Sequence, residues 1–316
     1  MATLNFGRLS PIAWTSAFVL GLTCGSATAQ LVDESVPDRM QIRLNLNEGH
    51  LIRYQLEIEG KTGWTPPIDE VDFGHMATQF VFTMRAKAKR PDGAWTFELL
   101  GEQLRSAGET SKGRLDAVLD RQQAKIAAAG KGSIQLPNSP LSKPMTMKLS
   151  PQGEYQFGTG LAPLAIFMLP HVDFRFWNLL TRSPDEPVEI GDEKEVDQDV
   201  PLPGTEGEPL RVRSKAKVLG WEKYRNRRVL AVGLAARLDL ADTEILLKNG
   251  DRVRIARGQY DAEGKALWDV ETGLLCSADA RQEIQLRTEG RDARAFKSRN
   301  RTVLTMLKDK RGNGKE

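Results

Sequence analysis

The sequence predicts a mainly β protein: an antiparallel sheet of long hairpins, or a half-barrel, with two or three helices packed on one face. Period-two alternation of apolar and polar residues predicts the strands, glycine-bearing turns between them predict hairpins, and two segments of helical spacing supply the helices.

The alternation runs through Gln41–Leu46, where Ile42, Leu44 and Leu46 share one face, and through Phe80–Arg90, where Phe80, Phe82, Met84, Ala86 and Ala88 oppose Thr83, Arg85, Lys87 and Lys89. It is cleanest in Leu210–Val218, where Leu210, Val212, Ala216 and Val218 alternate with Arg211, Arg213, Lys215 and Lys217. Successive strand side chains point to opposite faces, so each run has one dry and one wet side, as antiparallel sheets do. Turns are expected at Asn47-Glu48-Gly49, Pro91-Asp92-Gly93, Pro151-Gln152-Gly153, Asn249-Gly250, Ala262-Glu263-Gly264 and Asp269–Gly273, all but the last with glycine where positive φ is tolerated. Leu46–Tyr54 and Leu247–Ile255 echo each other around such turns, which reads as two ordinary hairpins or as a weak repeat of two halves.

Gly113–Ala129 places Leu115, Val118, Leu119 and Ile126 on one stripe before Gly130 and is expected to be a helix. Leu161–Leu180, interrupted by Pro163 and Pro170, is expected to be two short helices with a bend. Pro201, Pro203, Gly204, Gly207 and Pro209 mark a linker. From Gly290 the periodicity fades, and a helical or disordered tail outside the core is expected.

The N-terminus reads as a cleavable signal peptide spanning residues 1–29, so the protein is expected to be periplasmic or secreted. Arg8 is the sole charge before Asp33, Ile12–Leu22 is apolar, and Ala27-Thr28-Ala29 precedes Gln30. The apolar stretch is well short of the roughly 20 residues that span a bilayer, and no span is expected in the mature chain. Cys24 lacks the leucine three positions earlier that a lipid-modified cysteine requires. Cleavage leaves Cys276 as the single cysteine, which excludes an internal disulfide and reads as a small buried hydrophobe.

Of the chain's 45 basic residues only Arg8 lies in the signal, leaving 44 against 42 acidic ones. The charge is uneven. Asp185–Asp199 holds eight acidic residues and one lysine, an acidic surface loop by composition, and Gly290–Glu316 holds nine basic and three acidic residues. Within this basic tail Arg291, Arg294, Lys297, Arg299 and Arg301 are the candidates for electrostatic contact, with the acidic loop or with an anionic envelope surface.

The long hairpins are followed by Met147-Lys148-Leu149-Ser150-Pro151-Gln152-Gly153-Glu154-Tyr155, the apolar insert, Pro187-Val188-Glu189-Ile190-Gly191-Asp192 and a last hairpin around Trp268–Gly273. In this layout residues 41–288 resemble uncharacterised secreted bacterial β-rich proteins, themselves distantly similar to the periplasmic lipoprotein-carrier (Lol-type) fold. The resemblance implies an open half-barrel whose concave apolar face is covered by helices, and implies architecture alone.

Chemical motifs are sparse. His171 and Asp173 could pair for acid–base work, but no Gly-x-Ser-x-Gly or Ser-x-x-Lys supplies a nucleophile. Asp69, Glu70, Asp72 and His75 match no metal-loop spacing, and Gly158-Thr159-Gly160 lacks the lysine of a phosphate loop. The basic face Arg211–Lys217 has no interleaved aromatics, which with export argues against nucleic acid as a partner. No cofactor or metal is expected. Leu161–Leu169 has no polar side chain and must be buried all round or face an apolar ligand. As core filling it would close the sheet; as a lid it would line a cavity with Ile166, Phe167, Met168, Phe174 and Trp177. The expected function is therefore that of an exported, non-enzymatic envelope protein binding an apolar or lipid-like ligand or a protein partner, against the alternative of a secreted hydrolase. A hydrolase would show a concave polar cluster with perturbed carboxylates.

Overall fold

The computed structural model describes residues 39–66, 74–110, 113–128, 132–136, 138–150, 155–157, 180–184, 186–200, 205–206, 209–247, 250–290 and 293–307. They lie in the compact unit Asp38–Glu316. The described residues form sixteen strands: β1 (Leu51–Thr65), β2 (His75–Lys89), β3 (Trp95–Thr110), β4 (Gly113–Asp120), β5 (Ala124–Ala128), β6 (Gly132–Leu136), β7 (Met145–Leu149) and β8 (Tyr155–Phe157) precede the apolar insert. After it come β9 (Glu193–Val200), β10 (Thr205–Glu206), β11 (Leu210–Tyr224), β12 (Arg227–Asp239), β13 (Glu244–Leu247), β14 (Arg252–Asp269), β15 (Leu274–Thr288) and β16 (Ala295–Met306).

All pair antiparallel, in the order β6-β5-β4-β3-β2-β1-β16-β15-β14-β12-β11-β9, with β7, β8, β10 and β13 off this path. The sheet is open, ending at β6 and β9. Chain order runs outward from β1 to β6, and the last strand, β16, then enters beside β1 and joins the two halves.

Register gives the sheet one continuous dry face. Leu119, Leu104 and Phe80 line up across β4, β3 and β2. The row continues through Leu56 and Leu304 into Ala278, Ala266, Val232 and Val218. Most of these side chains are at most 8% exposed. The β2 alternation is borne out through Ala86, and in β11 Leu210, Val212 and Val218 are buried while their basic neighbours are wet. Such burial is worth about 1.5–3 kcal/mol for each large side chain.

Several expectations are corrected. Gly113–Ala129 is no helix: Gly113–Asp120 and Ala124–Ala128 are β4 and β5, joined by a turn in which Asp120 Oδ1 accepts from the amides of Gln122 and Gln123 at 2.7 and 2.8 Å. Among the described residues the one helical element with both ends defined is a 3-10 turn at Pro140–Ser142, so helices packed on a face are not found there. Gln41–Leu46 joins no ladder; its neighbour Met40 bridges Val188, and Asn45 N–H donates to the Thr272 carbonyl at 2.9 Å. Ala262-Glu263-Gly264 is no turn but mid-β14. The tail is corrected most. Residues 295–306 are an interior strand, with Phe296 2% and Leu304 8% exposed.

The turns at Asn47–Gly49, Pro91–Gly93 and Asp269–Gly273 are present, with positive φ at each glycine. The β11–β12 hairpin turns instead on Arg225 and Asn226, at φ 47° and 67°. Leu161–Leu179, the turn at 151–153 and most of the expected linker lie outside the described residues.

Candidate functional site

On the dry face, neighbouring rows give way to small and polar side chains. One row runs Gly60, Asn300, Gln282, Ala262, Ala236, Ser214 across six strands. The row above it carries Thr78, Ile58, Thr302, Ala280 and Gly264, and the row below carries Thr62 and Ser298. Some of these groups satisfy one another. Thr78 and Ser106 hydroxyls meet at 2.9 Å, as do Thr62 and Ser298, and Asn300 Nδ2 donates to Ser298 Oγ at 3.3 Å. Others do not: Asn300 Oδ1, Gln282 Nε2, Ser214 Oγ and both amide atoms of Gln198 are shut off from solvent without a hydrogen-bond partner. A buried polar atom left unpaired costs about 1–3 kcal/mol.

Glycine and alanine fill the positions beside these polar groups, at Gly60, Gly264, Ala236, Ala262 and Ala280. Leu180 packs against them: a Cβ added at Gly264 would stand 2.7 Å from Leu180 Cδ2. Leu180, Thr181 and Ser183 are 2, 1 and 6% exposed, so the chain is anchored at the dry face where it leaves the apolar insert. The expected cavity residues Ile166, Phe167, Met168, Phe174 and Trp177 fall outside the described residues, as do His171, Asp173, Asp69, Glu70 and Asp72. His75 opens β2, with Nε2 3.4 Å from Glu59 Oε1. Among the described residues no His, Cys, Asp and Glu side chains group as a metal site.

The opposite face is a lattice of cross-strand ion pairs. The acidic run is no loop: from Glu193 it is the edge strand β9, and its partner is the basic face of β11. Lys217 meets Glu193 at 2.6 Å, Lys215 meets Glu195 at 3.4 Å, and Arg213 and Arg211 each reach Asp197 at 3.2 Å. The hydrogen bond from Arg213 holds the Asp197 carboxyl below its ordinary range, and that from Lys217 does the same for Glu193. Charges along an edge also discourage a further strand from adding there.

Of the electrostatic candidates, Arg299 meets Glu283 at 2.8 Å and Arg301 meets Asp279 at 2.6 Å, both on β15. Both line a hollow of about 1060 Å³; Lys297 lines another of about 580 Å³. Arg294 closes the β15–β16 turn through its backbone, its N–H donating to Thr288 Oγ1 at 2.8 Å, and Arg291 is outside the described residues. The partner of Arg299 and Arg301 is thus the adjacent strand rather than the acidic run.

Cys276 is fully buried, and burial, with the nearby charge of Asp269, pushes its thiol up to about 11. It is the inert hydrophobe expected, since the thiolate is the reactive form. Sequence reasoning missed the polar row, because its members are scattered over six strands. The one available signal was Ser298, Asn300 and Thr302 recurring at period two between arginines.

No described helix is long and apolar enough to cross a membrane. No protein-family model matches the chain, and no curated protein matches it. Among solved structures, a lipovitellin chain from work on lipid–protein interactions in lipovitellin is similar at a TM-score of 0.40 and 9% identity, over 86% of this chain. This chain spans 26% of that one's length, and the comparisons place it in no family.

Proposed function

We propose that the protein is an exported, non-enzymatic binding protein that holds an amphiphilic, lipid-like ligand on the dry face of its sheet. The observation that carries this reading is the group of buried, unpartnered polar atoms set among glycine and alanine. A surface meant only for core packing gains nothing from four such residues; a ligand with hydroxyl or amide groups offsets their cost when bound. Leu180, where the chain leaves the apolar segment, is seated on Gly264 among these residues, and Ile166, Phe167, Met168, Phe174 and Trp177 are the proposed apolar contacts of the ligand. In this reading the Lol-type likeness is one of layout, an open sheet with a covered apolar face. Export rests on the signal-like residues 1–29 and assigns the protein to the periplasm or the exterior.

The test replaces the polar atoms by apolar ones of similar size. In Gln282→Leu and Asn300→Leu the melting temperature is expected to hold or rise, because a buried unsatisfied group is removed. Ligand recovered by organic extraction and mass spectrometry is expected to fall at least severalfold. A lowered melting temperature with an unchanged ligand load would contradict the proposal.

A further inference from the structure

A cavity of about 730 Å³ lies between the β11–β12 turn and residues of β1, β2 and β3, and five arginines line it: Arg53, Arg85, Arg121, Arg225 and Arg227. Glu102 is the one carboxylate among the lining residues. It is already committed, accepting from Arg53 Nη2 at 2.6 Å, from Arg53 Nε at 2.9 Å and from Thr83 Oγ1 at 2.7 Å. Burial alone would push its carboxyl up; the hydrogen bonds from Arg53 and Thr83, with the charges of Arg53 and Arg121, reverse that and hold it below the usual range. Arg227 pairs with Asp269 at 2.9 Å and Arg85 with Glu98 at 3.6 Å, both carboxylates outside the lining.

Among the described residues that leaves Arg121 and Arg225 without an ion pair, Arg121 acting on Glu102 through its charge alone. Arg121 Nε donates to the Gly101 carbonyl at 3.1 Å, and Arg225 Nη1 donates to the Met306 carbonyl while its guanidinium lies over the Tyr224 ring, 5.3 Å from the centroid. Between β9 and β11 and between β15 and β16 cations and carboxylates pair across strands; here two cations are in excess. Each guanidinium has five donors in a planar fork, so one bond to a carbonyl leaves most of its capacity unused. Gathering like charges in a part-enclosed hollow is unfavourable unless an anion completes the set. The fork geometry suits tetrahedral oxyanions, which guanidinium binds in bidentate fashion. The volume is in the range of small-molecule sites, about 300–1,000 Å³, so it accommodates more than a bare ion, and Leu51, Leu100 and Leu307 give it apolar wall.

We propose that this cavity binds a phosphate group, with Arg121 and Arg225 as its principal ligands. The phosphate could be carried by a soluble metabolite or by a lipid headgroup, and the two sources separate experimentally. The full chain is titrated calorimetrically with inorganic phosphate and with glycerol phosphate, and its co-sedimentation with phosphatidylglycerol vesicles is measured, with sodium chloride at matched ionic strength as control. Saturable binding that weakens about tenfold or more in Arg121→Gln/Arg225→Gln, but not in Arg299→Gln, is the expected result. Binding of glycerol phosphate without vesicle binding identifies a soluble ligand; vesicle binding lost in the double variant identifies a headgroup. No saturable binding to any of these probes would overturn the proposal, as would binding that survives in a double variant whose melting curve matches wild type.

Discussion

At Gly273 an added Cβ would lie 2.1 Å from the Arg43 carbonyl oxygen, and the residue's φ of 67° is one that side-chain-bearing residues avoid. Both constraints have one origin. The turn after β14 is pinned by Asp269, whose carbonyl accepts from Gly273 N–H at 2.8 Å and whose carboxylate accepts from Glu271 N–H at 3.1 Å and from Arg227. Against this turn runs the extended segment that precedes β1, held by Asn45 N–H on the Thr272 carbonyl. The turn was legible in the sequence from Asp269 and Gly273; the close passage of Arg43 was not, since nothing local encodes a contact 230 residues away. Gly273→Ala is expected to destabilise by about 1–3 kcal/mol from the backbone conformation alone, and by more from the clash, read as a lowered denaturation midpoint. A wild-type midpoint would mean that the 40–46 segment is not packed against this turn.

Among the elements, β16 shows best why period-two reading failed in places. Its wet face is Lys297, Arg299 and Arg301; its dry face begins with Phe296 and ends with Leu304, but carries Ser298, Asn300 and Thr302 between them. Polar residues on both faces erase the alternation, so the segment looks like a charged tail. The β4–β5 hairpin failed for the opposite reason. Ala117 carries the buried phase between Leu115 and Leu119 but is too small to announce it, while Val118, 44% exposed, supplied a false helical stripe. The acidic run and the basic strand were each legible as wet surfaces, yet their cross-strand complementarity showed only once β9 and β11 were in register. Because β16 pairs with both β1 and β15, truncation after Glu289 is expected to abolish cooperative unfolding altogether, where an outlying tail would be lost without effect. A truncated chain with a wild-type melt would contradict the strand assignment.

For the unit as a whole, the antiparallel class and the exposed basic face of β11 were legible because they follow from local alternation. The strand order was not, because β16 closing the gap between β1 and β15 is a long-range event that burial and register decide together. The same long-range pairing assembles the polar row from Asn300, Gln282 and Ser214, with Gln198 beside Val212 in the next row, residues that are unremarkable one by one. The central claim is that this row exists for a ligand. Native mass spectrometry of the protein isolated from its own cells tests it in one spectrum. The account predicts a polypeptide beginning at Gln30 that carries a bound amphiphile in near-stoichiometric amount, released when the protein is denatured. A ligand-free mass, from material whose fold is intact, would contradict it.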